Sequence, residues 1–450
     1  MIHHVAIIGA GFSGALQAIN LLRHDGPRAT LIERSLKVGK GVAYSAAHPS
    51  HLLNVRAANM SALPDDPDHF VRWLAANGGG DGGSFVPRIR YGDYLAELLG
   101  LAVAAAPGRL RILRGEAADI VTDAGGVTVR LADGDTIRAD AAILALGNLP
   151  PHEPAGLDPA ALAPGAYAAD PWGGDLADGL GAGDTLLAIG TGLTMVDMAL
   201  LLDARGFRGR MVALSRRGLS PRAHAPGPPI PAGLSERPSK AVSVLQAEVR
   251  ARAREIGWRP AIDELRPYTQ GMWLAAGPEE RARFLRHLRP WWDVHRHRLA
   301  PTVAARMAAM QEDGRLILAA GRTIGFAQDG AEVAVRWSPR GEAGERTMRV
   351  RRVVNCSGPL IDLGRTREPL LRSLSARGLI RPDPCHIGLD VDVQAQLIGA
   401  DGQPNPRLLA LGPLTRGAFW EIVAVPDIRV QTWAVARRLS NAHWVEGEGL

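Results

Sequence analysis

Three glycines, Gly9, Gly11 and Gly14, stand in a G-x-G-x-x-G run, and an acid, Glu33, follows nineteen residues after the last of them. These residue types suit one kind of chemistry, the holding of a dinucleotide. Gly9 permits a tight turn, Gly11 lets a pyrophosphate approach the backbone, and Gly14 lets a helix pack closely on a strand. Free N–H groups and the positive dipole end of that helix face the phosphates. Phe12 and Ser13 lie inside the turn. Glu33 can accept hydrogen bonds from ribose hydroxyls, and Arg34 is its neighbour.

A second constellation begins at Gly190-Thr-Gly192-Leu193-Thr194, where Met195 replaces the third glycine. That replacement implies looser packing of helix on strand. In place of a terminal acid stands Ser215-Arg216-Arg217. A carboxylate would repel a 2′-phosphate, whereas Ser and Arg bind it, so the second site is expected to prefer NADPH over NADH.

These motifs need strands and helices to position them. Val5–Ile8 and Ala29–Ile32 are short apolar runs that read as buried parallel strands, with a helix from Ala15 to Leu22 between them. Thr185–Ile189 and Met211–Leu214 repeat the arrangement. The sequence thus predicts an α/β fold with two Rossmann-like dinucleotide-binding domains, the first interrupted by the second. Expected boundaries are 1–175 and 346–450 for the two parts of the first domain, and 176–345 for the second. Short alternating segments from Leu110 to Leu146, with turn signals at Gly125-Gly126 and Asp133-Gly134, predict a small antiparallel meander. Pro150 to Pro171 reads as a linker. A helical insertion is expected over 235–310, with helices at Lys240–Ile256, Pro278–Leu288 and Val303–Met310.

Irregular segments carry the remaining candidates, because loops held by a rigid scaffold often bind ligands. Gly41-Val42-Ala43-Tyr44 and Asn54-Val55 follow directly on the first nucleotide fold. Strands running into Gly147-Asn148, Gly358 and Gly412-Pro413 place glycines near the same crevice. His51, Asn54, Trp420 and Glu421 are the candidates for shaping a substrate pocket.

Other classes are disfavoured. The net charge of +6 is carried by scattered arginines, with Lys only at 37, 40 and 240. No basic run interleaved with aromatics suggests nucleic acid, though a basic balance suits anionic ligands. Cys356 and Cys385 form no C-x-x-C, which argues against a dithiol reductase and for a reducing compartment. His295 and His297 do not share a helix face, and no third ligand is spaced for a metal. No signal peptide or membrane span is visible, so a cytoplasmic location is expected.

The motifs Gly41-Val-Ala-Tyr-Ser45, His51-Leu-Leu-Asn-Val-Arg-Ala57, Gly192-Leu-Thr-Met-Val-Asp197 and Gly412-Pro-Leu…Trp420-Glu421 together resemble one group of flavoproteins. It is the FAD/NAD(P)-binding family that includes FAD-dependent urate hydroxylase and the flavin-dependent aspartate N-oxygenases. The resemblance runs from residue 4 to about 440. It implies FAD at the first site and NADPH at the second. It also implies a monooxygenase that uses O₂, through a flavin C4a-peroxide, to oxidise a small polar substrate: an amine or amino-acid nitrogen, or a purine such as urate. In many relatives an acid follows the last glycine of the 408–412 strand; Pro413 stands there in this chain, so backbone N–H groups are expected to serve instead. Two other readings stay open. One is a flavin-dependent NAD(P)H oxidase or reductase without oxygen insertion; the other is a non-catalytic FAD-holding redox sensor. Substrate identity and oligomeric state are not written in these motifs.

Overall fold

His4–Ile8 lies inside a six-stranded sheet because it is apolar on both faces, as a strand covered from both sides must be. The structure, a computed structural model, describes residues 2–45, 48–225, 238, 241–360 and 362–440. In that first sheet the strand order is Gln396–Ile398, Pro404–Ala410, Ala141–Leu144, His4–Ile8, Arg28–Glu33, Leu110–Arg114. All pairings are parallel except the one at the Gln396–Ile398 edge. Helix Phe12–Arg23 packs on this sheet, and the closing helix Val425–Leu439 lies beside it, tied by Asn20 Nδ2 to Thr432 Oγ1 at 3.2 Å.

The second sheet has seven strands, in the order Arg346–Val350, Glu332–Pro339, Leu316–Asp329, Arg210–Ser215, Thr185–Ile189, Arg352–Asn355, Tyr167–Ala168. Five consecutive strands, from Leu316–Asp329 to Tyr167–Ala168, are parallel, and the long strand Leu316–Asp329 turns back antiparallel against Glu332–Pro339. Between the parallel neighbours Arg210–Ser215 and Leu316–Asp329 the chain makes one long crossover. That crossover holds the expected helical insertion and ends in helix Pro301–Glu312. The insertion contains Val242–Ile256, Trp258–Asp263, Thr269–Ala275, Pro278–His287 and Arg289–Arg296. Lys240 and the Pro-rich stretch 226–237 lie outside the described residues, as does the expected start of the insertion at 235.

Three expectations need correction. The meander is smaller: only Ala117–Asp123, Gly126–Leu131 and Thr136–Ala139 form it, while Leu110–Arg114 joins the first sheet; Ala141–Leu144, the strand that runs into Gly147, returns to the first sheet as expected. An alternating strand at a sheet edge and a meander strand look alike in sequence. The segment read as a linker contributes Tyr167–Ala168 to the second sheet, before the boundary expected at 176. The boundary expected at 346 falls inside that sheet too, since Arg352–Asn355 pairs with Leu186–Ile189. The chain therefore returns to the first domain only after residue 355. Outgoing and returning segments cross side by side: Leu360 N–H donates to the Leu149 carbonyl at 3.1 Å.

Candidate nucleotide and substrate sites

The first glycine turn is built by close approach. A Cβ on Gly9 would sit 2.5 Å from the Ala145 carbonyl oxygen, and one on Gly14 would sit 1.8 Å from the Gly9 oxygen. Gly9 also has φ of +97°, a region that side chains other than hydrogen rarely enter. Gly11 differs. A Cβ there would meet only Gly41 Cα, at 3.6 Å, so a gap opens between the two glycines. Gly11 is the N-cap of helix Phe12–Arg23 and no side chain caps it, which leaves the first-turn N–H groups for an anion. The turn thus fits a pyrophosphate by its backbone alone.

Around it, Glu33 is held by its own turn. Oε2 accepts from Ala10 N–H at 2.7 Å and Oε1 from Ser35 N–H at 2.8 Å, so the carboxylate is aimed while keeping further lone pairs for hydroxyls. Arg34 turns away to Glu368, at 3.1 Å, and Glu116. Gly41–Ser45 is a short helix whose Val42 and Ala43 side chains are exposed, while Tyr44 packs edge-on to Tyr91 with centroids 4.9 Å apart. Burial pushes the Tyr44 hydroxyl up to about 12, keeping it a neutral donor. Phe12 and Val55 pack against the same apolar cluster. Ser13 lies where a Cβ on Gly412 would strike its Oγ, at 2.3 Å. The Gly412 N–H already donates to Gln431 Oε1 at 2.8 Å, and Pro413 has none, so neither supplies the free N–H expected at this turn.

The second glycine turn repeats the first. A Cβ on Gly190 would sit 2.1 Å from the Cys356 carbonyl oxygen, whereas one on Gly192 would meet nothing within 4 Å. Met195 is fully buried in the domain core, filling the space a third glycine would leave, and Leu193 packs beside it. Thr194 is partly exposed on the first helical turn. The Ser215-Arg216-Arg217 triplet is divided. Ser215 Oγ pairs with Thr191 Oγ1 at 2.8 Å and accepts from Gly218 N–H. Arg217 donates to the carbonyls of Arg286 and His287, closing the C-terminus of helix Pro278–His287. Of the three, Arg216 alone is exposed and has no hydrogen bond or ion pair among the described residues, so one arginine of the pair, not two, is free to meet an anion.

The four pocket candidates do not converge. His51 is fully buried: Nδ1 accepts from His48 N–H, and Nε2 therefore carries the proton it donates to the Asp197 carbonyl at 2.9 Å. Burial lowers its pKa, so it stays neutral and serves as a tie between the loop and helix Leu193–Ala204. Asn54 borders a small cavity with Arg88, Leu193 and Asp197, and its carbonyl accepts from His224 Nε2 at 2.9 Å. Trp420 is also buried, stacked on Trp273 of the insertion with centroids 4.7 Å apart and flanked by Phe284. It does not line that cavity. Glu421, 3% exposed at its side chain, accepts from Trp292 Nε1 at 3.2 Å and lies 3.4 Å from Arg296. The insertion thus seats itself on 417–421: Trp273 Nε1 donates to the Gly417 carbonyl at 2.8 Å, and Gln270 bonds both Ala418 and Trp420. It packs on the first domain's closing segment rather than only on the second domain.

Gly147 and Gly358 have φ of +70° and +88°, and a Cβ on either would meet nothing within 4 Å. Asn148 is exposed beside them. Gly147, Asn148 and Pro413 border a small, half-open cavity together with Leu360, Leu414 and Arg416. Arg416 and the Arg88–Asp197 pair went unnoticed in the sequence. Asp197 closed a quoted motif, but nothing local marks its partner, 109 residues away. No group of three or more potential metal-ligating side chains is present among the described residues.

Residues 6–149, which include the first glycine turn, match the family model described as FAD-NAD(P)-binding. An L-aspartate N-monooxygenase (nitrosuccinate-forming) from Streptomyces cremeus is 37% identical over 162 residues; the match covers 32% of this chain and only 23% of that protein. Whole-chain likeness appears in solved structures. L-lysine 6-monooxygenase from Pseudomonas syringae has a TM-score of 0.68 at 16% identity, covering 98% of this chain and 100% of that one. An ornithine N-hydroxylase from Kutzneria sp. 744, solved with reduced FAD, NADP⁺ and L-ornithine, has 0.64 at 13%, covering 98% and 99%. The chain has the two-dinucleotide-domain flavoprotein fold.

Proposed function

We propose that this chain is an FAD-dependent, NADPH-using monooxygenase acting on a small polar substrate, an amine or amino-acid nitrogen or a purine such as urate. The observation that carries this reading is the pairing of two glycine turns, each ending an open parallel sheet, with a likeness over the whole chain to amino-acid N-hydroxylases. FAD would take the first turn, on Gly9, Gly11, Gly14 and Glu33, with Gly41 and Tyr44 beside it. NADPH would take Gly190, Gly192 and Arg216.

FAD supplies the redox chemistry with NADPH and O₂. This chain's residues do the rest. Helix N-termini and glycine backbones hold pyrophosphates, Glu33 orients ribose, and Arg216 selects the phosphorylated nicotinamide cofactor. The aromatic seat Trp273–Trp420–Phe284 closes the insertion over the first domain and excludes water there. The two free cysteines, Cys356 buried and Cys385 partly so, suit a reducing, cytoplasmic compartment. Among the described residues no helix is long and apolar enough to cross a membrane.

The test is NADPH oxidation across a panel of amines, amino acids and purines, with product and H₂O₂ both assayed. Stimulation with an oxygenated product is expected. Turnover that yields H₂O₂ at the same rate without substrate would favour the oxidase reading instead, and FAD-loaded protein that consumes no NADPH would favour the sensor.

A further inference from the structure

The insertion and the closing segment bring together a cluster of charges: Arg266, Arg289, Arg296 and Arg416 with Asp293, Glu421 and Asp427. Three of the arginines have a carboxylate. Arg266 pairs with Asp427, Arg289 Nε lies 3.4 Å from Asp293, and Arg296 Nε lies 3.4 Å from Glu421. Arg416 has none within 4 Å among the described residues, and its Nε is buried without a hydrogen-bond partner. What holds it is the face of Trp420, 4.5 Å from the guanidinium carbon. His297, in the same cluster, does not alter the balance, since burial and the surrounding arginines push it down to about 3. One positive charge is therefore left over.

Its position gives that charge a use. Among the described residues, Arg416 is the only charged one bordering the cavity that also includes Gly147, Asn148 and Pro413, where strands of the first sheet end. Ligands of open α/β sheets bind outside the carboxyl ends of the strands. An arginine held over an aromatic ring is restrained in advance, so less freedom is lost when it takes a planar oxyanion. Burial and the nearby Arg289 also lower its pKa to about 10, the response of a cation waiting for a counter-charge.

We propose that Arg416 is the carboxylate anchor of the substrate site, and that the substrate is accordingly a carboxylate-bearing amino acid rather than a simple diamine. This rests on the monooxygenase reading for the word substrate, but the anchor itself is tested by binding. Arg266, Arg289 and Arg296 of the insertion are already committed to carboxylates, and the free arginine of the cluster comes from the closing segment.

The experiment measures equilibrium binding of L-aspartate, L-leucine and cadaverine to the FAD-loaded protein, by flavin absorbance change and thermal shift, without NADPH. Either amino acid should bind the wild-type protein, with affinity falling about ten- to a hundredfold in Arg416→Met and partly restored in Arg416→Lys, which keeps the charge. Flavin content of both variants checks that they fold. Unchanged amino-acid affinity in Arg416→Met, binding of cadaverine alone, or binding of neither amino acid would overturn the proposal. Arg416-dependent binding with no stimulated NADPH oxidation would leave the anchor standing and sink the monooxygenase reading.

Discussion

Arg88 and Asp197 meet across the two nucleotide domains, Nη1 to Oδ2 at 2.6 Å, with side chains 16% and 6% exposed. Arg88 starts helix Arg88–Ala105 of the first domain; Asp197 lies on the helix that follows the second glycine turn. Beside them His51 donates to the Asp197 backbone, so one residue of the second domain receives two ties from the first.

Breaking that pair should be costly. Arg88→Ala leaves a buried carboxylate without its cation and should lower stability by about 3–5 kcal/mol. Replacing both partners, as Arg88→Met with Asp197→Leu, should recover most of the loss. Chemical denaturation of the single and double variants checks this; a double variant no better than the single would show that the pair is not the coupling.

Gly11→Ala should strip the flavin without unfolding the protein. The new methyl has room beside Gly41, yet it lies where the pyrophosphate must approach. Gly14→Ala should instead damage folding, because its Cβ would overlap the Gly9 carbonyl. Flavin absorbance per protein and melting temperature separate the two. Full flavin content in Gly11→Ala would refute the first-site assignment.

The divided arginine pair predicts two unlike variants. Arg216→Ala should raise the apparent KM for NADPH about ten- to a hundredfold and leave NADH nearly unchanged. Arg217→Ala should affect both cofactors alike and lower the melting temperature, since it frees the end of helix Pro278–His287. Steady-state kinetics with both cofactors, beside thermal melts, distinguishes them. Equal effects of the two variants on NADPH would contradict the division.

Acid should destabilise the fold in a defined window. His297 is held near 3 by burial and by Arg296, Arg416, Arg266 and Arg289, against 6.5 when unfolded; Asp293, at 4.0 Å, opposes them. Between those values the unfolded chain binds the extra proton, so stability falls as pH drops from about 6.5 toward 3. His51 and His224, lowered by burial too, act with the same sign. His297→Gln should flatten the slope of unfolding free energy against pH in this range without abolishing it. An unchanged slope would mean that His297 is already protonated in the folded protein.

The sequence by itself determined the two glycine turns, the strands that feed them and the identity of the insertion as helical. These are local matters: a tight turn needs glycine at Gly9 and Gly190 whatever else the chain does, and an apolar run of strand length must be buried. Which of these elements meet is settled by the folded chain. Arg352–Asn355 reads like any strand ending in glycine, and its sheet is set by pairing with Leu186–Ile189, far off in the chain. Trp420 and Asn54 look equally available until the insertion buries one and leaves the other beside a small cavity. Of the adjacent Arg216 and Arg217, one caps a helix seventy residues on and one stays free, a difference that spacing cannot carry. Arg416 became visible only when every neighbouring arginine had found its carboxylate, because charge balance in a buried cluster is a property of elements brought together and not of any one of them.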